Sequence, residues 1–153
     1  MKRPMFILTS FLALSGCASP KAVPEDVPPD FGLSFTVLRA QGDAKAAWYV
    51  VQPDGVLRAV EGVRRDNTPI PPPVRVLSAA ERDRLWRIVR QSSWLSDSKP
   101  TGFTVASELD AQELSVSVTG DDRRSTLVGS LQDASAIEIE SILRDLAWLN
   151  EGK

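Results

Sequence analysis

The sequence predicts an α+β fold, a two-layer sandwich in which two amphipathic helices pack on a largely antiparallel sheet. Three observations predict it. Short runs alternate apolar and polar residues with period two, as in Leu33-Ser34-Phe35-Thr36-Val37 and Leu114-Ser115-Val116-Ser117-Val118-Thr119. Two later stretches carry apolar residues at helical spacing, each opened by a Ser-x-x-Glu capping box. The order is hairpin, helix, hairpin, helix, so the layout reads ββ(β)α-ββα and suggests two hairpin-helix units side by side.

The elements follow in order. Residues 31–153 form the single folded domain. Its first strand is the alternating run at 33–37, and its second is Trp48-Tyr49-Val50-Val51. Gln52-Pro53-Asp54-Gly55 then turns the chain into Val56-Leu57-Arg58-Ala59-Val60, because proline presets φ at the second turn position and glycine supplies the positive φ that closes a hairpin. These three strands are expected to form a meander. Pro69, Pro71, Pro72 and Pro73 make residues 66–73 a loop, since proline donates no ladder hydrogen bond. Ser78-Ala79-Ala80-Glu81 starts the first helix, with Leu85, Ile88 and Val89 as its apolar stripe and Trp86 at the edge of that stripe. Arg82, Arg84, Arg87 and Arg90 mostly flank the stripe, as a solvated helix face or, in the alternative, an anion or lipid-headgroup site, and Asp83 and Arg87 are spaced for an i,i+4 ion pair.

Leu114, Val116 and Val118 share one face of the next strand, Gly120-Asp121-Asp122 turns it, and residues 123–129 return antiparallel. Ser135-Ala136-Ile137-Glu138 is expected to open the last helix, whose stripe is Ile139, Ile142, Leu143, Leu146 and Leu149. Two residues lie off that stripe. At about 100° per residue, Trp148 is roughly 180° and Ile137 roughly 160° around the axis from Ile139. Each either packs against a chain segment at a helix end or contributes to an apolar spot that a partner covers, and both are candidate partner contacts.

The leader gives the chain an address. Lys2 and Arg3 precede ten mainly apolar residues, 5–14, too few for the roughly 20 that a membrane-crossing helix needs. Leu14-Ser15-Gly16-Cys17 resembles the lipobox of bacterial lipoproteins. The resemblance implies that residues 1–16 are a signal peptide and that Cys17, the only cysteine, is lipidated and becomes the new N-terminus. Two or three acyl chains hold a protein stably on a bilayer where one is marginal. Ala18 and Ser19, in place of the aspartate that retains such proteins at the inner membrane, imply the outer membrane, with the domain facing the periplasm of the cell envelope. Residues 17–30 are then the lipidated cysteine and a proline-rich tether, with Pro20, Pro24, Pro28 and Pro29 favouring an extended, solvated segment. At about 3.1 Å per residue, its thirteen residues after Cys17 would span up to roughly 40 Å.

Composition argues against several functions. Removing Lys2 and Arg3 with the leader leaves 16 basic residues against 20 acidic, a side-chain charge of −4, which does not favour nucleic acid. The chain has no histidine, so the usual general base, the commonest metal ligand and every Ser-His or Cys-His arrangement are missing. With Cys17 acylated no thiol remains for zinc or for a disulfide. The carboxylate pairs Asp121-Asp122 and Glu138/Glu140 sit at a turn and a helix start, where acids are common anyway. Lys45 and Lys99 have no serine placed by any motif to be activated. No catalytic residue, cofactor or metal site is assigned.

The expectation is therefore a non-enzymatic interaction module, binding another envelope protein through a sheet edge or the Trp148 side of the last helix. One further resemblance supplies an alternative. Val76-Leu77-Ser78-Ala79-Ala80-Glu81 leading to Leu85, with the 114–129 hairpin before a terminal helix, is similar to the layout of emfourin-type inhibitors of thermolysin-like metalloproteases, over about residues 33–149. It implies a small protease inhibitor. No residue here matches an inhibitory contact of that family.

Overall fold

In the computed structural model the described residues are 24–38, 46–62, 70–92, 94–95, 103–104, 114–129 and 133–148. They run β1 (Gly32–Val37), β2 (Ala47–Val51), β3 (Val56–Glu61), β4 (Pro73–Val76), α1 (Ala79–Gln91), β5 (Phe103–Thr104), β6 (Leu114–Gly120), β7 (Arg123–Gly129) and α2 (Ala134–Trp148). The strands form one antiparallel sheet in the order β4-β3-β2-β1-β6-β7-β5. β5 contributes only two residues at one edge. The fold is the expected α+β sandwich, with the β1-β2-β3 meander in place.

β1 is the central strand, with three strands on either side, and Phe35 lies opposite Tyr49 of β2 and opposite Val116 of β6. Period-two alternation then puts Leu33, Phe35, Val37, Ala47, Tyr49, Val51, Leu57, Ala59, Leu114, Val116 and Val118 on one face, all buried. The helices cover that face with Leu85, Trp86, Ile88 and Val89 of α1 and Ala136, Ile139, Ile142, Leu143 and Leu146 of α2.

Both turns behave as their residues require. Gly55 N–H donates to the Gln52 carbonyl at 2.8 Å, and Gly55 takes φ +87°, a left-handed conformation that glycine adopts without strain. In the second hairpin Asp121 and Asp122 both take positive φ, 53° and 59°, as a two-residue turn matched to strand twist requires.

The first capping box forms as read. Ser78 N–H donates to Glu81 Oε2 at 2.7 Å, and Glu81 N–H donates to Ser78 Oγ at 3.3 Å. At α2 the cap moves: Asp133, not Ser135, accepts the Ala136 N–H at 2.8 Å, and Ser135 lies inside the helix. A carboxylate caps as well as a hydroxyl and also meets the positive end of the helix dipole, so the helix starts at the earlier residue. Leu149 lies outside the described residues.

Two regions read as irregular are part of the fold. Pro73, the last residue of the stretch whose prolines predict a loop, opens strand β4. It stands at the first position of an edge strand, where its missing N–H breaks no ladder bond. The Pro72 carbonyl accepts from Ala59 N–H at 3.2 Å, so the prolines end the loop on the sheet.

Residues 24–30, read as solvated tether, lie against the domain as a strap. Pro28 is buried, and the Pro24 carbonyl accepts the Trp86 indole N–H at 3.2 Å. Trp86 is fully buried, edge-to-face with Phe31 at a centroid distance of 5.2 Å. A Cβ on Gly120 would stand 2.8 Å from the Trp86 ring and 3.2 Å from Pro28, so this strand end must be glycine for the indole to pack. The Asp30 carboxylate completes the strap, accepting Asp121 N–H and Asp122 N–H at 2.9 Å each. Proline and acid, which favour an extended chain in isolation, here supply a carbonyl for an indole N–H and a cap for a tight turn.

Candidate interaction surface

The alternation that buries one face of the sheet leaves the other, among the described residues, without a helix. Cross-strand pairs share a face, so the register orders it into rows. One row runs Val60, Trp48, Thr36, Ser115, Val128; the next runs Arg58, Val50, Ser34, Ser117, Thr126. Gly32, Thr119 and Arg124 begin a third. Most of these side chains are half-buried, Arg124 and Thr126 are exposed, and Val128 is buried. The surface is graded: apolar and cationic over β3 and β2, hydroxyl-rich over β1 and β6, and mixed over β7, with Val128, Thr126 and Arg124. Its charged side chains, Arg58 and Arg124, are both basic.

Several contacts fix its shape. Trp48 Nε1–H donates to Ser34 Oγ at 3.0 Å, which ties the indole to the neighbouring strand. Arg58 Nε–H donates to Gln52 Oε1 at 2.9 Å and its Nη1 to the Pro71 carbonyl at 3.0 Å, so this cation is held between the first turn and the approach to β4. Thr119 Oγ1–H donates to the Asp30 carbonyl at 3.2 Å, and a Cβ on Gly32 would stand 2.9 Å from Thr119 Oγ1. Side chains already restrained lose little rotamer freedom when covered, which favours binding.

The sheet edge at β4 is differently made. Ile70 and Val76 are 74% and 66% exposed. Pro72 and Pro73 donate no backbone hydrogen bond and Arg75 adds a charge, the devices by which edges resist an added strand. Arg75 turns instead to α1, pairing with Glu81 at 2.9 Å. The Glu81 pKa is lowered by the Ser78 backbone N–H first, with burial opposing and the Ser78 hydroxyl and Arg75 assisting.

The two candidate contact residues of α2 do not form one spot. Ile137 is 51% exposed, whereas Trp148 is half-buried and packs on the core. They are about 20° apart around the axis but roughly 16 Å apart along it, so they meet different surroundings. Trp148 faces Tyr49. Burial, then the Glu140 carboxylate, raises the Tyr49 pKa, against the opposing effect of the Arg144 guanidinium and the Trp148 indole N–H. That N–H is buried and falls short of a full hydrogen bond. Arg144 also pairs with Glu140 one turn away.

Cys17, the leader, Lys45 and Lys99 lie outside the described residues. Among the described residues no group of three or more Asp, Glu, Cys or His could hold a metal ion, and no helix is long and apolar enough to cross a membrane. Sequence reasoning passed over Trp48 as a surface residue. The signal was present, because a tryptophan adjacent in sequence to an inward Tyr49 must face the other way. No protein-family model and no curated protein matches the chain.

Proposed function

We propose that the chain is a lipid-anchored lipoprotein of the bacterial cell envelope, with a non-enzymatic interaction module as its folded domain. Cys17 holds it at the outer membrane on the periplasmic side, and the helix-free face of the sheet binds another envelope protein. The observation that carries the binding reading is Trp48, held by Ser34 in the middle of a face on which no described helix packs. Tryptophan and arginine are the residues most enriched where binding energy concentrates, and Trp48 and Arg58 stand on adjacent strands of this face. The lipobox-like Leu14-Ser15-Gly16-Cys17 supports the anchor.

The test is capture of a reproducible partner from detergent-solubilised envelopes, with mass spectrometry of the N-terminus alongside. Trp48→Ala and Ser117→Arg are each expected to lose the partner while the melting temperature stays near that of the unchanged chain. Retention of the partner by both variants removes the sheet face from the proposal, and an intact leader with a free thiol removes the anchor. Inhibition of a thermolysin-like protease, equally strong with Trp48→Ala, would replace the module with the inhibitor that the layout resembles.

A further inference from the structure

The strap decides which side of the domain can face the membrane. From Cys17 to Pro24 the chain has seven Cα-to-Cα steps, at most about 25 Å when fully extended. At Pro24 it is already fixed to α1 through the Trp86 indole, and Glu25 lies 3.6 Å from Arg90 one turn further along that helix. The anchored end therefore leaves the domain beside α1. A domain of about 120 residues is roughly 35 Å across, so a path around to its opposite side is roughly 50 Å. That is about twice what the linker can span.

The helix so placed is basic, and the strap beside it carries the exposed carboxylates of Glu25 and Asp26. Around the axis of α1, Arg90 stands about 40°, Arg87 about 100° and Arg84 about 160° from Trp86, turning outward from the strap. Arg84 and Arg87 are exposed, and Arg84 forms no ion pair with the described residues, while Arg87 is paired with Asp83 at 2.5 Å. α1 carries Arg82, Arg84, Arg87 and Arg90 against Glu81 and Asp83; α2 carries Arg144 against Glu138, Glu140 and Asp145. The two helices thus differ in sign, and the basic one holds the strap. Phospholipid surfaces with anionic headgroups attract basic side chains within a Debye length.

We infer that α1 is the membrane-facing element of the anchored protein, with Arg84 and Arg87 meeting the phosphates of the lipid headgroups and the helix-free sheet face turned away from the bilayer. This orientation rests on the reading of Cys17 as the anchor. It also explains why the partner surface stays accessible.

The experiment uses the full-length acylated protein in vesicles of phosphatidylglycerol and phosphatidylethanolamine. A fluorescent donor is placed on Ala80→Cys, on the outer side of α1, or on Thr126→Cys, on the open sheet face, and a headgroup-labelled lipid is the acceptor. Because Cys17 is consumed by acylation, the introduced thiol is the one that reacts. Energy transfer is expected to be several-fold stronger from position 80 than from position 126, and to weaken at position 80 when Arg84→Glu and Arg87→Glu are added. Equal transfer from the two positions, or stronger transfer from 126, in protein that floats with the vesicles overturns the orientation and leaves the anchor standing. Unchanged transfer in the charge-reversed variant overturns the role of the two arginines. Protein that does not float with the vesicles overturns the anchor, and the orientation with it.

Discussion

The two faces of the sheet are built from the same strands and read by the same alternation, yet they meet different surroundings. The covered face carries Leu33, Phe35, Tyr49, Leu57 and Val116, large side chains with almost no exposure, and two helices complete it. The other carries Ser34, Ser117, Thr126 and Trp48, each at least partly open to solvent. On the first face, removing an atom leaves a cavity that the surroundings cannot fill. On the second, it leaves a gap that water fills. Neighbouring aromatics on one strand part company by the side of the pleat they occupy: Tyr49 is covered and Trp48 stays partly open.

The sharpest way to break that comparison is to truncate matched residues. Phe35→Ala on the covered face is expected to cost about 3–5 kcal/mol in urea unfolding, as large core aromatics do. A loss below about 1 kcal/mol would mean that the helices do not pack on this face as described. The same face makes a spectroscopic prediction. Tyr49 is the only tyrosine and its pKa is raised above the ordinary 10.0, by burial first and then by Glu140. A group raised in the folded state contributes its stability below the unfolded value and loses it as pH rises through the folded value. Tyrosinate absorbance should therefore appear above the pH of a free tyrosine, together with weakening of the fold.

The strap offers the next largest effect. Asp30→Ala leaves two turn amides without their carboxylate and is expected to cost about 2 kcal/mol, with Asp30→Asn recovering part of it. Trp48→Ala, on the open face, should cost about 1 kcal/mol or less in the same unfolding experiment. A loss as large as that of Phe35→Ala would show that this face is also a core. The smallest effect concerns Glu81, whose pKa lies below its ordinary 4.5. Its contribution is present above the unfolded value and is lost as pH falls through the folded one, so Glu81→Gln should flatten the acid limb of the stability curve while costing about 1 kcal/mol or less at neutral pH.

Legibility in the sequence followed how local each signal was. The alternations at 33–37 and 114–119, the Pro-Asp-Gly turn and the Ser78 to Glu81 box were readable because each depends on residues within a few positions. The cap of α2 was misplaced by two residues because Asp133 and Ser135 are both good caps and spacing alone does not rank them. Strand β4 was missed because proline reads as a breaker unless the strand is known to lie at an edge. The strap was missed for a stronger reason. Trp86 and Pro24 are 62 residues apart, and Asp30 and the turn it caps are about 90 apart, so nothing near either partner announces the other.

Short segments of the sequence specify both helices and every strand but β4 and β5, with the side each turns inward, because period and turn chemistry are local properties. Which strands become neighbours, which face is left without helices, and where residues 24–30 come to rest were decided only by the tertiary structure. Those outcomes depend on surfaces meeting across long stretches of chain, and β1 is the plainest case: its own residues specify a strand, and the three strands gathered on either side make it the middle one.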